Sequence, residues 1–353
     1  MKRSRTKENK DLGEQVKNHA NTKAEKKAKY EGNMETTIST GSTLLDLAIS
    51  GGRKRGGGLP SGIMVEFFGP ESIGKTVFLS EIAGAVQRQG GEALFNDPES
   101  RFNKQFARIF GYKLDMKNYF NPDTVTEVFK SIRNWQPDNM DVVNGIFTDS
   151  LAALSTDLEM ENEEGDKMGM RRGKEFSEGF RKNARLLKDN NYLMVCSNQI
   201  RDTTATIGAK TEPPGGHAIR FYSTVRIRLS KPSKNYKIIK KKSIHGKEVT
   251  KVEGINVMAE IVKNSAWKPY RTAPVTIIFD YGIDDIRQNL QFIKDFSANK
   301  TYTVQGKSLS NKLEDAISKV EELDLEFVLR EEVIDLWESI EEKFKTERKP
   351  KKR

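Results

Sequence analysis

One cysteine, Cys196, stands in a chain of 353 residues. A lone thiol excludes an internal disulfide framework and any multi-cysteine zinc site. Its place in the apolar run LMVCSN reads as a buried thiol with no catalytic part. Histidine is nearly as scarce, and His19, His217 and His245 lie too far apart for metal-ligand spacing. Long hydrophobic runs are missing as well. The longest are strand-sized, so no segment reads as a membrane span, and the opening MKRSRTKENKDLGEQ lacks the apolar stretch of a signal peptide. Aliphatic residues are almost absent from residues 1–36, which are expected to stay solvated because they have little apolar area to bury. A soluble cytoplasmic protein without membrane contact is the expectation.

What the chain has in excess is positive charge. Sixty Lys and Arg face fifty Asp and Glu, a formal net charge of +10, which favours nucleic acid or another polyanion as partner. Apolar order begins with TTISTGSTLLDLAIS near Thr37, and the Gly- and Arg-rich stretch GGRKRGGG (51–58) reads as a loop. From Gly62 onward short apolar runs alternate with helix-length segments: 63–68, a helix over 75–89, then strands at 93–95, 142–148 and 192–197. That alternation is the signature of a parallel sheet with crossover helices. Runs at 224–229, 255–262 and 275–279 predict an antiparallel extension, with a lysine-rich turn between the first two. After Gly282 the spacing becomes helical: Leu309, Leu313, Ile317 and Val320 share one face, and Val333, Leu336, Trp337 and Ile340 another. The expected organisation is a mobile basic segment (1–36), an α/β core (37–282), a small helical C-terminal domain (283–342) and a basic tail (343–353).

Within the core, Gly69-Pro70-Glu71-Ser72-Ile73-Gly74-Lys75-Thr76 satisfies G-x-x-x-x-G-K-[ST] between a strand and a helix. Glycines let the backbone curl so that its N–H groups face phosphate oxygens. The lysine reaches the β- and γ-phosphates, and the threonine hydroxyl ligates Mg²⁺. Asp149 closes the apolar run GIFTD and puts a carboxylate at a strand's end, where it holds the magnesium shell through water from the other side. Asp97 and Glu99, in NDPES, follow the strand ALF; one of them is expected to orient the attacking water, each serves equally well as a turn or cap residue, and spacing does not choose between them.

The run GLPSGIMVEFFGPESIGKT (58–76) resembles the RecA family of recombinases, and DPE, TDSLAAL (148–154), SNQIR (197–201) and GGHAIRFYSTVR (215–226) follow in the family's order. The resemblance spans roughly residues 37–282. It implies a RecA-like P-loop ATPase core that uses ATP and Mg²⁺, polymerises on single-stranded DNA, and pairs that strand with duplex DNA near the nucleoid. It assigns Glu99 to the attacking water, Gln199 to sensing the γ-phosphate, Phe106 to stacking on adenine, and Lys263 to the ATP of a neighbouring subunit. Phe221 falls at the subunit interface. For DNA it implies a first loop with Met168 as a wedge between bases beside Arg171 and Arg172, and a second from Arg201 through Ile207 to Gly215 and Gly216. The basic pair Arg181 and Lys182 and the duplex-site residue Lys231 complete the set. Lys231, Lys234, Lys237 and Lys240–Lys242 crowd one expected hairpin that favours DNA contact. Departures from the pattern are Ser265 where a second lysine is usual, with Lys268 as a substitute, and a longer GGRKRGGG loop. The tail ends in KPKKR instead of an acidic run. These departures keep a recombination mediator in play as an alternative, and the shared core keeps a hexameric helicase.

Overall fold

The computed structural model describes residues 36–161, 168–202, 211–212 and 216–348. The basic N-terminal segment up to residue 35 and the last five residues lie outside this set, as do Ile207 and Gly215. A short antiparallel pair, β1 (Thr37–Ile38) with β2 (Leu59–Pro60), encloses α1 (Thr43–Asp46) and the π-helical turn Leu47–Gly51. The central sheet then begins. β3 (Met64–Gly69), β4 (Ala93–Asn96), β5 (Tyr119–Phe120), β6 (Asn144–Thr148), β7 (Tyr192–Gln199) and β10 (Val225–Ser230) run parallel in the order β10-β3-β7-β6-β4-β5. β3 and β6 are buried throughout, and β7 is buried up to its last residue, as strands covered on both faces must be. This is why they read in the sequence as plain apolar runs.

Crossover helices cover both faces: α2 (Lys75–Arg88), α3 (Lys104–Ile109), α4 (Val125–Asn134), α5 (Asp157–Glu161), α6 (Met168–Asp189) and α7 (Gly216–Tyr222). α4 starts with a reciprocal cap: the Thr124 hydroxyl accepts from the Glu127 N–H, and the Glu127 carboxylate accepts from the Thr124 N–H. On one face, Phe78, Leu79 and Ile82 of α2 pack on Val65 and Phe67 of β3. On the other, Val128, Phe129 and Ile132 of α4 meet Phe176 and Phe180 of α6 over Met64, Ile146 and Met194. α4 and α6 approach so closely that a Cβ on Gly179 would stand 2.1 Å from the Phe129 ring, so only glycine fits. Between β7 and α7 lies the small pair β8 (Arg201–Asp202) and β9 (Thr211–Glu212).

The antiparallel extension is larger than the sequence predicts. The lysine-rich stretch expected as a turn is a strand, β11 (Lys237–Ile244), paired with the first half of the 18-residue β12 (Lys247–Asn264). The turn is at His245-Gly246, both with positive φ as a tight hairpin requires. The far half of β12 pairs with β10 on one side and β13 (Thr272–Ile278) on the other, and β14 (Gly282–Ile283) ends the sheet. The C-terminal segment holds α8 (Asp285–Phe296), the hairpin β15 (Tyr302–Val304) with β16 (Lys307–Ser310), α9 (Leu313–Glu322) and α10 (Glu326–Lys343). Leu309 therefore lies on a strand, not on the helical face assigned to it, because the turn at Gln305-Gly306, positive in φ at both residues, brings the chain back as a hairpin. Val320, Leu329, Val333 and Ile334 join the core that α2 also fills. The GGRKRGGG loop is tied to α10: Arg55 meets Glu331 and Asp335 at 2.8 Å and Glu338 at 3.1 Å, while Arg53 lies over the Trp267 ring.

Candidate functional site

The turn Gly69–Thr76 leaves the C-terminal end of β3, flanked by β7 and β10, and enters α2 at the carboxyl edge of the parallel strands. Gly74 caps α2 with φ +93, a backbone that glycine alone adopts without strain. A cavity of about 650 Å³ opens here, lined by Glu71–Val77, Asp97, Glu99, Arg101, Phe102, Asn103, Phe106, Asp149, Ser150 and Gln199, with Ile255, Ile277 and Phe279 as an apolar wall.

Lys75 is buried and its ammonium donates to the carbonyls of Gly69 (3.0 Å) and Pro70 (2.7 Å). Burial pulls its pKa down, against the pull of Asp149, Glu71 and Glu99. Thr76 Oγ1 donates to Asp149 Oδ2 at 2.6 Å, and the Ser197 hydroxyl donates to Asp149 Oδ1. Burial pushes the Asp149 carboxyl up; the two hydroxyls counter it, and the charges of Glu99 and Asp97 add to it. Among the described residues no cluster of three or more His, Cys, Asp or Glu is arranged to hold a metal. The Thr76–Asp149 oxygen pair fits Mg²⁺, which takes few protein ligands and keeps water and phosphate oxygens for the rest of its shell.

Geometry separates the two acidic candidates of NDPES. Asp97 is buried, with Oδ2 accepting from the Phe102 N–H (2.8 Å) and the Tyr119 hydroxyl (2.7 Å), so it holds its own loop together. Glu99 instead accepts from the Ser150 hydroxyl (2.9 Å) and from Gln199 Nε2 (3.5 Å), and pairs with Arg101 at 2.8 Å. Gln199 ends β7, so it joins the cavity directly to the segment that runs on through Arg201. Phe106 packs edge-on against Phe102 and Phe110, with Phe279 among the apolar residues lining the same cavity. A planar base fits a cavity with such aromatic sides.

The family profile of the RecA N-terminal domain matches residues 12–284. The chain is also 32% identical over 250 residues to Protein RecA of Thermus thermophilus, covering 70% of this chain and 68% of the relative. The chain belongs to the RecA family. Thermus aquaticus RecA gives the same identity and coverage, and Delftia acidovorans RecA is 32% identical over 247 residues, 70% of this chain and 62% of its own.

In this RecA family member, the other described residues singled out in the sequence are not among those lining the cavity. Lys263 donates to the carbonyls of Arg220 (2.7 Å) and Phe221 (2.9 Å) at the end of α7, beside a Phe221 that is 75% exposed. Burial lowers the Lys263 pKa, and Arg226 adds to the effect. Ser265 is exposed, and Lys268 faces its own C-terminal helix, 4.0 Å from Glu341 and over the Trp267 ring. Met168 begins α6 and Gly216 begins α7. Arg171, Arg181 and Lys182 are exposed along α6, Lys182 paired with Glu178. Arg172 is turned inward, 3.2 Å from Glu159 and 21% exposed. Lys231 is exposed at the end of β10. Cys196 is buried, with its thiol pushed up by burial, as an inert core residue. Sequence reasoning missed Ser150, Ser197 and Phe279. The two serines border motifs and carry no signal of their own, and Phe279 closes an apolar run that reads as a strand. No described helix is long and apolar enough to cross a membrane.

Proposed function

We propose that the chain is an ATP-dependent DNA strand-exchange protein. It binds ATP and Mg²⁺ at the Gly69–Thr76 turn, assembles as a helical filament on single-stranded DNA in the cytoplasm, and pairs that strand with homologous duplex. DNA-stimulated hydrolysis then releases it. The observation that carries this reading is the convergence of Lys75, Thr76, Asp149, Glu99 and Gln199 on one cavity. Magnesium would supply charge neutralisation between the phosphates, held by Thr76 and by Asp149 through water. Lys75 gives up its loop carbonyls and turns to the β- and γ-phosphates. Glu99, held by Ser150, orients the attacking water. Gln199 senses the γ-phosphate beside Glu99 and passes its loss directly to the DNA segment beginning at Arg201, so hydrolysis and DNA release are coupled. Lys263 and the exposed Phe221 meet a neighbouring subunit, with Lys263 reaching that subunit's ATP. Met168 and Ile207 wedge between bases while Arg171, Arg181, Lys182, Arg201, Gly215 and Gly216 hold the backbone, Arg172 being committed to Glu159 instead; Lys231 serves the duplex.

The engagement of Lys268 with its own chain and the exposed Ser265 favour one second reading, a mediator that binds ATP and DNA without exchanging strands. Strand exchange between a circular single strand and linear duplex tests both, with Lys75→Ala as control. Joint molecules that need ATP and vanish in Lys75→Ala are expected. ATP-tightened DNA binding without joint molecules would replace strand exchange with the mediator reading, and DNA affinity indifferent to nucleotide would overturn both.

A further inference from the structure

The phosphate turn is braced from outside by a residue that the reading above leaves unused. Tyr236 lies between β10 and β11, at the foot of the lysine ribbon, and its hydroxyl donates to the carbonyl oxygen of Ser72 at 3.3 Å. Ser72 has φ +55, a left-handed conformation that costs a residue with a side chain about 1 kcal/mol and persists where its surroundings hold it. The Ser72–Ile73 peptide is trans, so the Ser72 carbonyl and the Ile73 N–H point in opposite directions. Fixing the carbonyl toward Tyr236, which is not among the residues lining the cavity, turns the Ile73 N–H to the opposite side of the peptide.

The brace is itself well footed. The Asn256 N–H donates to the Tyr236 carbonyl at 2.8 Å, and its side-chain amide donates to the Asn235 carbonyl at 2.8 Å. Asn256 Oδ1 accepts from the Thr276 hydroxyl at 2.8 Å. Asn256 and Thr276 are direct neighbours in sequence of Ile255 and Ile277, which wall the cavity. The Lys231 ammonium stands 5.0 Å from the Tyr236 ring centroid, a cation–π contact that helps hold the ring in place.

We propose that Tyr236 is a positioning residue for phosphate binding: its hydroxyl clamps the Ser72 carbonyl and so keeps the Ile73 amide aimed at the phosphates. The proposal rests on the nucleotide reading of the cavity. Tyr236→Phe removes one oxygen and keeps the ring and its Lys231 contact. Titration with N-methylanthraniloyl-ADP and Mg²⁺ is expected to show affinity weakened about three- to tenfold, the worth of one partly solvated hydrogen bond. The KM for ATP rises by a similar factor with kcat within about twofold, and the unliganded Tm stays within about 2 °C of wild type, which a merely structural role would not give. Wild-type affinity in Tyr236→Phe, or a fall in kcat at unchanged KM, overturns the proposal while leaving the cavity a nucleotide site. A wild-type protein that does not bind the probe, or binds it equally after Lys75→Ala, overturns the nucleotide reading and the proposal with it.

Discussion

Replacing Ser197 by alanine isolates the electrostatics of the carboxylate at the end of β6. Asp149 accepts from two hydroxyls, Thr76 and Ser197, while burial pushes it toward the neutral acid. Ser197 is fully buried and is not among the residues lining the cavity, so its loss leaves the walls that face a ligand intact. A hydrogen bond to an ionised group contributes about 1.5–3 kcal/mol, and the lower end of that range is about a tenfold change in proton affinity. Loss of the donor favours the protonated form, whereas Mg²⁺ requires the carboxylate. The acid limb of Mg²⁺-dependent ATP hydrolysis should therefore move up by roughly one pH unit, with the plateau above it held within about twofold. The assay is kcat/KM between about pH 5 and about pH 9 for wild type and Ser197→Ala. A uniform loss across the range with an unmoved limb would refute the reasoning and reduce Ser197 to packing. A limb moved to lower pH would reverse its sign.

Asp149→Asn tests the same buried charge in the unliganded protein. The folded pKa is raised, so the stability that goes with the neutral acid is complete below the ordinary carboxylate range and is lost as pH rises through the folded value. The variant should resist urea better than wild type near about pH 8, with the gap closing toward about pH 4, and should lose the stabilisation that Mg²⁺-ADP gives wild type. Identical urea midpoints at both pH values would show the carboxylate to be well solvated. On α6, Arg171 is exposed while Arg172 is committed to Glu159. Arg171→Ala should lower the slope of log affinity for single-stranded DNA against log salt by about 0.7, and Arg172→Ala by clearly less. Fluorescence anisotropy across a salt series measures this, and equal slopes would count against the assignment.

The turn Gly69–Thr76 and the cavity it opens were legible in the sequence where chemistry sets spacing. The turn Gly69–Thr76 must follow a strand and open a helix, and the acid at the end of GIFTD must stand at the sheet's carboxyl edge, so both positions follow from neighbours in the chain. What separates Glu99 from Asp97 is visible only in three dimensions, because only folding brings Tyr119 onto Asp97 and Gln199 onto Glu99. Ile255, Ile277 and Phe279 carried no mark, since an apolar residue that walls a cavity has the same pattern as one that fills a core. β11 was missed because both of its faces are largely exposed, and a strand with no buried side shows no alternation. The partners of Arg55 lie some 280 residues further along, beyond any local pattern.

The ribbon of β11 and β12 ends in open borders. From Lys247 to Glu253, β12 has β11 as its one neighbour among the described residues, and the outer border of β11 has none. Unpaired borders of this kind invite another ribbon to zip alongside, and rows of like charge are a common defence. Lys240, Lys242, Lys247 and Lys251 fall on one face by register, with Ile239 and Val252 paired on the other, so two copies brought together would set ammonium against ammonium. The charge on this face therefore works against such pairing. Stripping these lysines of charge would loosen any grip on DNA and, in the same stroke, unlock a route to clumping.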